Sequence, residues 1–154
     1  MTVSILTFAS GDTDYITKHN TNNASIKSNV DANEAAIAAI VAPGYDIGST
    51  YNGAIPDGAV LLRYPMPRAI ELPVGLTASA GVAAVTASSQ AVFNIQKNGG
   101  TVGTMTFAAA STTATFSAAS ATTFAAGDVL TVVGPATADS TLADIGLSLA
   151  GMRV

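Results

Sequence analysis

The sequence predicts a mainly β protein: an antiparallel β-sandwich of jelly-roll type, preceded by an extended N-terminal arm and one short α-helix. From residue 59 onward, short runs of alternating apolar and polar residues are separated by turns, and no helical pattern interrupts them. Upstream, residues 22–42 carry a helical spacing that ends at Pro43 and Gly44. Four segments follow: an anchoring arm at 1–21, an oligomerisation helix at 22–42, a linker or collar at 43–58, and the β-sandwich at 59–154.

The N-terminal arm contains a short apolar stretch followed by the turn sequence "SGD". An apolar terminal segment stays ordered only where something holds it. Two interpretations are open: an edge strand on the chain's own domain, or an anchor that docks on a neighbouring subunit or a larger particle. The anchoring residues would be Val3, Ile5, Leu6 and Phe8.

The helix carries Ile26, Val30, Asn33, Ile37 and Ile40 at spacings of four, three, four and three residues. This is a heptad pattern, with β-branched residues at both the a and d positions, which favours trimers or tetramers over dimers. An amphipathic helix packed on its own sheet would show a similar spacing. Because the rest of the seam is Ala and small polar residues, which would cover little of a sheet, we expect a homotrimeric coiled coil in which Asn33 sets the register.

The linker, "PGYDIGSTYNGAIPDG", is rich in turn residues and contains two tyrosines, Tyr45 and Tyr51. If exposed, their rings would be able to stack on a sugar face; if buried, they would fill a collar between the helix and the β domain. Tyr64, in the first predicted strand, is the third possible glycan contact.

The β region contains seven candidate strands. Pro65, Pro67 and Pro73 place the first two at an edge or a bend, because proline cannot donate a hydrogen bond to a ladder. The seven runs are 59–65, 68–74, 90–97, 101–108, 113–118, 128–134 and 142–151.

Residues 91–107, "AVFNIQKNGGTVGTMTF", predict a β-hairpin. Asn98, Gly99 and Gly100 tolerate the positive φ angles that a tight turn requires. The alternation on either side of the turn assigns four residues to the core: Phe93, Ile95, Met105 and Phe107.

Composition excludes several classes of function. Only 10% of residues are charged, against about 25% in a typical soluble protein. The six Lys and Arg residues are scattered and the net charge is −4, so we expect no nucleic-acid partner. No apolar run is long enough for membrane insertion. A mean hydropathy of +0.43 with so few charges favours a surface that is buried in an assembly.

The residues predict no catalytic, cofactor or metal site. The single histidine, His19, and the absence of cysteine are incompatible with the common zinc sites. Asp128, Asp139 and Asp144 stand in turn sequences without the spacing of a calcium loop. No nucleophile, carboxylate pair or phosphate-binding loop meets the tests for catalysis, so we expect a protein that is not an enzyme and binds no cofactor.

The β region resembles a module of fibre-like structural proteins from tailed bacteriophages and gene transfer agents. The resemblance covers roughly residues 60–153 and rests on "FNIQKNGG", "GTMTF", "FAAGDVLTV" and "PATADSTLAD", with "RAIELPVGLTAS" before them. In that family the module lies towards the C-terminus of tail-fibre-like and head-fibre-like proteins, which commonly assemble as trimers. The resemblance implies a virion accessory protein and supplies no catalytic residues.

Together these observations predict a short homotrimeric head fibre or capsid-decoration protein on the virion surface. The arm would anchor it to the major capsid protein or another virion protein, and the β-sandwich would form a displayed knob. The alternative is a tail-fibre-type adhesion module that recognises host cell-surface glycan through Tyr45, Tyr51 and Tyr64.

Overall fold

The structure, a computed structural model, describes residues 15–41 and 44–154, and within the helix it describes the side chains from residue 19 to residue 37. The chain divides into two units, with the boundary after Ala42. The predicted anchoring residues Val3, Ile5, Leu6 and Phe8 lie outside the described residues, and so does the side chain of Ile40.

The described part of the first unit is one helix, α1, at Tyr15–Val41. It begins at Tyr15 rather than at residue 22, so the predicted boundary between arm and helix was wrong. Asn22 and Asn23, a residue type favoured at helix N-caps, lie inside the helix, because residues 15–21 contain no glycine or proline that would end it. The Asn23 amide nitrogen instead lies 3.0 Å from Nδ1 of His19, one helical turn earlier.

The second unit is built from eleven short strands within residues 44–154. A 3-10 turn at Val74–Leu76 links two of them. The strands are β1 Ile47–Ala54, β2 Val60–Pro65, β3 Ile70–Leu72, β4 Ala80–Val85, β5 Ala91–Lys97, β6 Gly100–Phe107, β7 Ala114–Ser117, β8 Thr122–Phe124, β9 Val129–Val133, β10 Ala143–Leu149 and β11 Met152–Arg153.

All strand pairs are antiparallel, which confirms the predicted mainly β class. The strands form three sheets, ordered β1-β10-β4, β11-β3-β8 and β2-β9-β5-β6-β7. Their buried residues form one hydrophobic core in a sandwich-like arrangement. At its centre the rings of Phe93 and Phe107 meet edge to face, with centroids 6.1 Å apart. The largest fully buried side chains are Phe93, Phe107, Phe124, Ile70, Leu72, Leu76, Ile95, Met105, Leu130, Leu142, Ile145 and Leu149.

Part of the predicted linker is a strand of the β domain. β1 lies between residues 43 and 58 and pairs with β10, with Ile47 opposite Leu149 and Tyr51 opposite Ile145. Ile47 is the one buried residue of this strand, since β1 lies at the sheet edge. The residues of β1 are mostly small or polar, so the sequence shows no alternation of apolar and polar residues there. The assignment of residues 47–54 to a linker was therefore wrong.

Each of the seven predicted strands overlaps an observed strand, and four observed strands were missed: β1, β4, β8 and β11. The sequences of β4 and β8, "AGVAAV" and "TTF", contain few large apolar residues, so pairing with neighbours decides their conformation.

The hairpin at 91–107 is confirmed. Lys97 pairs with Gly100, and the two turn residues between them, Asn98 and Gly99, have φ angles of 49° and 87°. Two consecutive positive φ values match the right-handed twist of the flanking strands. Its four predicted core residues, Phe93, Ile95, Met105 and Phe107, are all buried.

Candidate functional site

The described part of α1 presents its apolar residues to solvent. Ile26, Val30 and Ile37 are 53%, 47% and 57% exposed. Asn33, between them on the same face, is exposed as well, and no side chain from residue 19 to residue 37 is buried. We call Ile26, Val30, Asn33 and Ile37 the helix seam. It keeps the predicted heptad spacing, and nothing in the described helix covers it.

Polar contacts on α1 are local. The Lys27 ammonium lies 2.8 Å from a carboxylate oxygen of Asp31, one turn later, and both side chains are largely exposed. Exposed pairs at this spacing stabilise a helix by about 0.3–0.5 kcal/mol. Such contacts do not replace the burial of an apolar face, which supplies most helix stability in proteins.

A second feature, on the β domain, joins residues that are distant in sequence. We call Tyr45, Tyr64, Arg68 and Arg153 the tyrosine–arginine cluster. Tyr45 precedes β1, and its backbone N–H donates a 2.8 Å hydrogen bond to the carbonyl of Gly151. That bond brings Tyr45 to the C-terminal end of the chain.

The ladder between β11 and β3 places the arginines of the cluster near each other. Arg153 is paired with Ile70, two residues after Arg68. The Arg68 guanidinium carbon lies over the Tyr45 ring at 6.0 Å from its centroid, and that of Arg153 lies over the same ring at 5.9 Å. One aromatic ring therefore contacts two cations.

The two tyrosine hydroxyls of the cluster are hydrogen-bonded to each other, with Oη atoms 2.9 Å apart. This hydrogen bond with Tyr45, together with partial burial, raises the pKa of Tyr64 above its ordinary value. The Tyr64 phenol is therefore neutral near pH 7, and a phenol hydroxyl can donate or accept hydrogen bonds.

The structure brings together two of the three predicted glycan contacts, Tyr45 and Tyr64. Tyr51 lies on β1 opposite Ile145, and no hydrogen bond among residues 44–154 links it to the other two tyrosines. Two guanidinium groups therefore lie beside the Tyr45 ring, one of the predicted glycan contacts. The sequence contained no signal for this, since Arg68 and Arg153 are 85 residues apart (153 minus 68).

Asp128 stabilises the turn before β9. Its carboxylate accepts hydrogen bonds from the Asn98 amide at 2.7 Å and from the Ala125 N–H at 2.8 Å, and it pairs with Lys97 at 3.1 Å. The Asn98 hydrogen bond is the largest cause that lowers the pKa of Asp128 to about 2, followed by the bond from Ala125. The turn position of Asp128 is as the sequence predicted, and its carboxylate also joins this turn to the hairpin at Lys97 and Asn98.

Asp139 is a buried carboxylate. It accepts six hydrogen bonds, from the side chains of Ser88, Ser89 and Thr141 and from three backbone N–H groups. The bonds from the Thr141 and Ser88 hydroxyls hold the pKa of Asp139 well below its usual range. Within the described residues no three His, Cys, Asp or Glu side chains converge on a metal-sized space. The six hydrogen bonds hold the Asp139 carboxylate between two loops of the β domain.

The described helix is not long and apolar enough to cross a membrane. The chain matches no protein-family model, no curated protein and no solved structure.

Proposed function

We propose that the protein is a homotrimeric structural protein of a bacteriophage particle, a short fibre or capsid-decoration protein. In this proposal the α1 helices of three copies associate along the helix seam and display the β domains at the particle surface. The observation that carries the proposal is the exposure of Ile26, Val30 and Ile37, three β-branched residues in heptad register on a 27-residue helix.

The energetic argument concerns the cost of leaving the seam in water. Full burial of a Val or Ile side chain stabilises a protein by roughly 1.5–3 kcal/mol relative to exposure. Association of three helices would bury each seam residue against its symmetry mates. A helix of 27 residues is about 40 Å long at the usual rise of 1.5 Å per residue, which is sufficient for a short stalk.

Two features favour three copies. Residues at the a positions (Val30 and Ile37) and at the d position Ile26 are all β-branched, a pattern that shifts coiled coils away from dimers. Asn33, at the remaining described d position, would align the copies, since a polar layer is satisfied only when it meets its own equivalents.

The setting on a phage particle rests on the resemblance of residues 60–153 to fibre-like virion proteins. The arm residues Val3, Ile5, Leu6 and Phe8 would anchor the trimer to the major capsid protein or another virion protein. Only 10% of the residues are charged, which supports a protein whose surface is partly buried in an assembly.

Light scattering coupled to size-exclusion chromatography tests the assembly. We expect the full chain at micromolar concentration to have three times the mass of the 15.3 kDa monomer. The substitution Ile37→Asp places a charge in the seam and should release monomers. Ala35→Asp is the matched control, because it adds the same charge at an exposed position two residues away and off the seam. A monomeric parent protein would rule out the trimer.

Electron microscopy of particles tests the location. Particles that carry the protein should show a density that is absent from particles without the protein. The N-terminus of the protein should lie where this density meets the particle surface. Identical densities from both preparations would contradict a role as a virion component.

A further inference from the structure

We propose that the tyrosine–arginine cluster binds an acidic saccharide through its carboxylate. The proposal goes beyond the assembly role and does not depend on the helix seam, because all four residues of the cluster belong to the β domain of one chain. The proposed site binds an anionic sugar through cations, whereas the glycan contact predicted from the sequence was the stacking of a sugar on tyrosine rings.

The first argument is the unbalanced charge at the cluster. The chain has six Lys and Arg residues and ten Asp and Glu residues, so acids are in excess. In the described part of the chain the ion pairs are Lys27–Asp31 and Lys97–Asp128. Arg68 and Arg153 have no carboxylate within ion-pair distance there, although both contact one ring.

The second argument is that the nearest acid on the neighbouring strand is engaged elsewhere. Glu71 is paired with Met152 in the β3–β11 ladder, one position from Arg153. Its carboxylate accepts a 3.3 Å hydrogen bond from the Thr123 hydroxyl on β8. Two like charges therefore contact the Tyr45 ring while the Glu71 carboxylate is hydrogen-bonded to Thr123, and an external anion would neutralise them.

The third argument is that the site is held in place before any ligand arrives. Arg153 is fixed by the ladder to β3, Tyr45 by its hydrogen bond to Gly151, and Tyr64 by its place on β2. Cation–aromatic contacts restrict both guanidinium groups. Fixing these groups in advance reduces the entropy that binding would otherwise cost.

The chemistry of the cluster identifies the ligand. A guanidinium group presents a planar fork of N–H donors that matches the two oxygens of a carboxylate. The Tyr45 and Tyr64 hydroxyls make one hydrogen bond between them, which leaves the second hydroxyl proton to donate to a sugar oxygen. A carboxylate flanked by hydroxyl groups is found in uronic and sialic acids.

A protein partner is a weaker fit to these four residues. Protein interfaces draw their affinity from a buried apolar centre with a polar rim. The cluster instead offers two exposed cations and two hydroxyl groups around a ring that both cations contact.

Isothermal titration calorimetry of the full chain tests the proposal. Trigalacturonate and sialyllactose are the acidic probes. Lactose, methyl-esterified trigalacturonate, inorganic phosphate and a glutamate-rich peptide are the comparison ligands. We expect at least one acidic saccharide to bind and the neutral sugars not to bind. Arg68→Gln and Arg153→Gln should each weaken binding by about tenfold, the effect expected for loss of a charge-assisted hydrogen bond.

Arg63→Gln is the matched control, because it removes the chain's third arginine, which is exposed on β2 and makes no contact with the Tyr45 ring. It should leave the affinity unchanged. Thermal unfolding of each variant must match the parent protein, and if Arg153→Gln perturbs the fold, Tyr45→Phe provides a second variant that removes only a hydroxyl.

Several outcomes would overturn the proposal. They are no binding of either acidic saccharide, equal binding of the esterified probe, phosphate binding alone, tighter binding of the peptide, or an equal loss of affinity in Arg63→Gln. The oligomeric state does not enter this test. If the protein is monomeric and binds the acidic probes, the saccharide site is supported and only the trimer is excluded.

Discussion

The carboxylate of Asp139 accepts a 2.7 Å hydrogen bond from the hydroxyl of Ser88, a residue 51 positions earlier in the chain. The same Oδ2 atom accepts the N–H of Ser89, while Oδ1 accepts the N–H groups of Thr141 and Leu142. One side chain thereby joins the loop after β4 to the loop before β10. It also satisfies backbone donors that would otherwise lack a partner beside the core.

Asp139→Asn should destabilise the β domain. The amide has nearly the same size, but its NH₂ group would face hydroxyl and N–H donors where the carboxylate accepted hydrogen bonds. We expect a lower urea midpoint of unfolding with the fold retained. Asp57→Asn is the control, since Asp57 accepts a 2.7 Å bond from the Ala138 N–H that an amide oxygen can also accept. Equal midpoints for the two variants would contradict the role of Asp139.

Stability should depend on pH in the acid range. The hydrogen bond from Asn98 lowers the pKa of Asp128 to about 2, and the bond from Thr141 lowers that of Asp139. Because both folded pKa values lie below those of the unfolded chain, this stability is complete above about pH 5 and is lost progressively as the pH falls towards 2. Thermal unfolding across this range should show a falling Tm, with a smaller fall in Asp139→Asn. A constant Tm between pH 5 and pH 2 would exclude the effect.

Gly103→Ala should destabilise the β6 region. A Cβ atom at Gly103 would lie 2.8 Å from the Ser117 carbonyl oxygen and 2.9 Å from Cδ1 of Leu76. Overpacking of this kind costs about 1–3 kcal/mol of unfolding free energy. Gly100→Ala, in the same strand, is the control, because its Cβ would approach only the Lys97 oxygen at 3.5 Å. Denaturant titration compares the two, and a Gly103→Ala variant as stable as Gly100→Ala would show that the site can relax.

Asn98→Ala should weaken the hairpin turn and shift a neighbouring titration. The Asn98 side chain donates to Asp128 and accepts the N–H of Val129, and its φ angle is positive. Loss of these contacts should cost about 1 kcal/mol or more, measured by urea denaturation. The pKa of Asp128, followed by NMR, should rise towards its ordinary value. Thr101→Ala, an exposed residue of β6, should change neither quantity, and an unmoved Asp128 pKa in Asn98→Ala would refute the coupling.

The hairpin at 91–107 shows what local sequence was able to predict. Alternation placed Phe93 and Phe107 in the core, and the Asn98–Gly99 pair specified the turn, because both signals depend only on neighbouring residues. The helix was predicted by its heptad, although its start was misplaced, since asparagines that would cap a helix also fit within one.

β1 shows where local sequence was insufficient. Ile47–Ala54 is a strand because it forms a ladder of hydrogen bonds with β10. Its sequence, "IGSTYNGA", is also compatible with a loop. The tyrosine–arginine cluster is a stronger case, because Tyr45, Tyr64, Arg68 and Arg153 meet only after three separate strand pairings have formed.

By itself the sequence determined the mainly antiparallel β class, the hairpin core and the heptad spacing of Ile26, Val30 and Ile37 on a helix. Each of these follows from the period of the side chains along one segment. Only the tertiary structure decided that Asp139 joins two loops and that two arginines share the Tyr45 ring. Contacts across long sequence separations depend on which strands pair, and that choice is made by burial of the whole core rather than by any one segment.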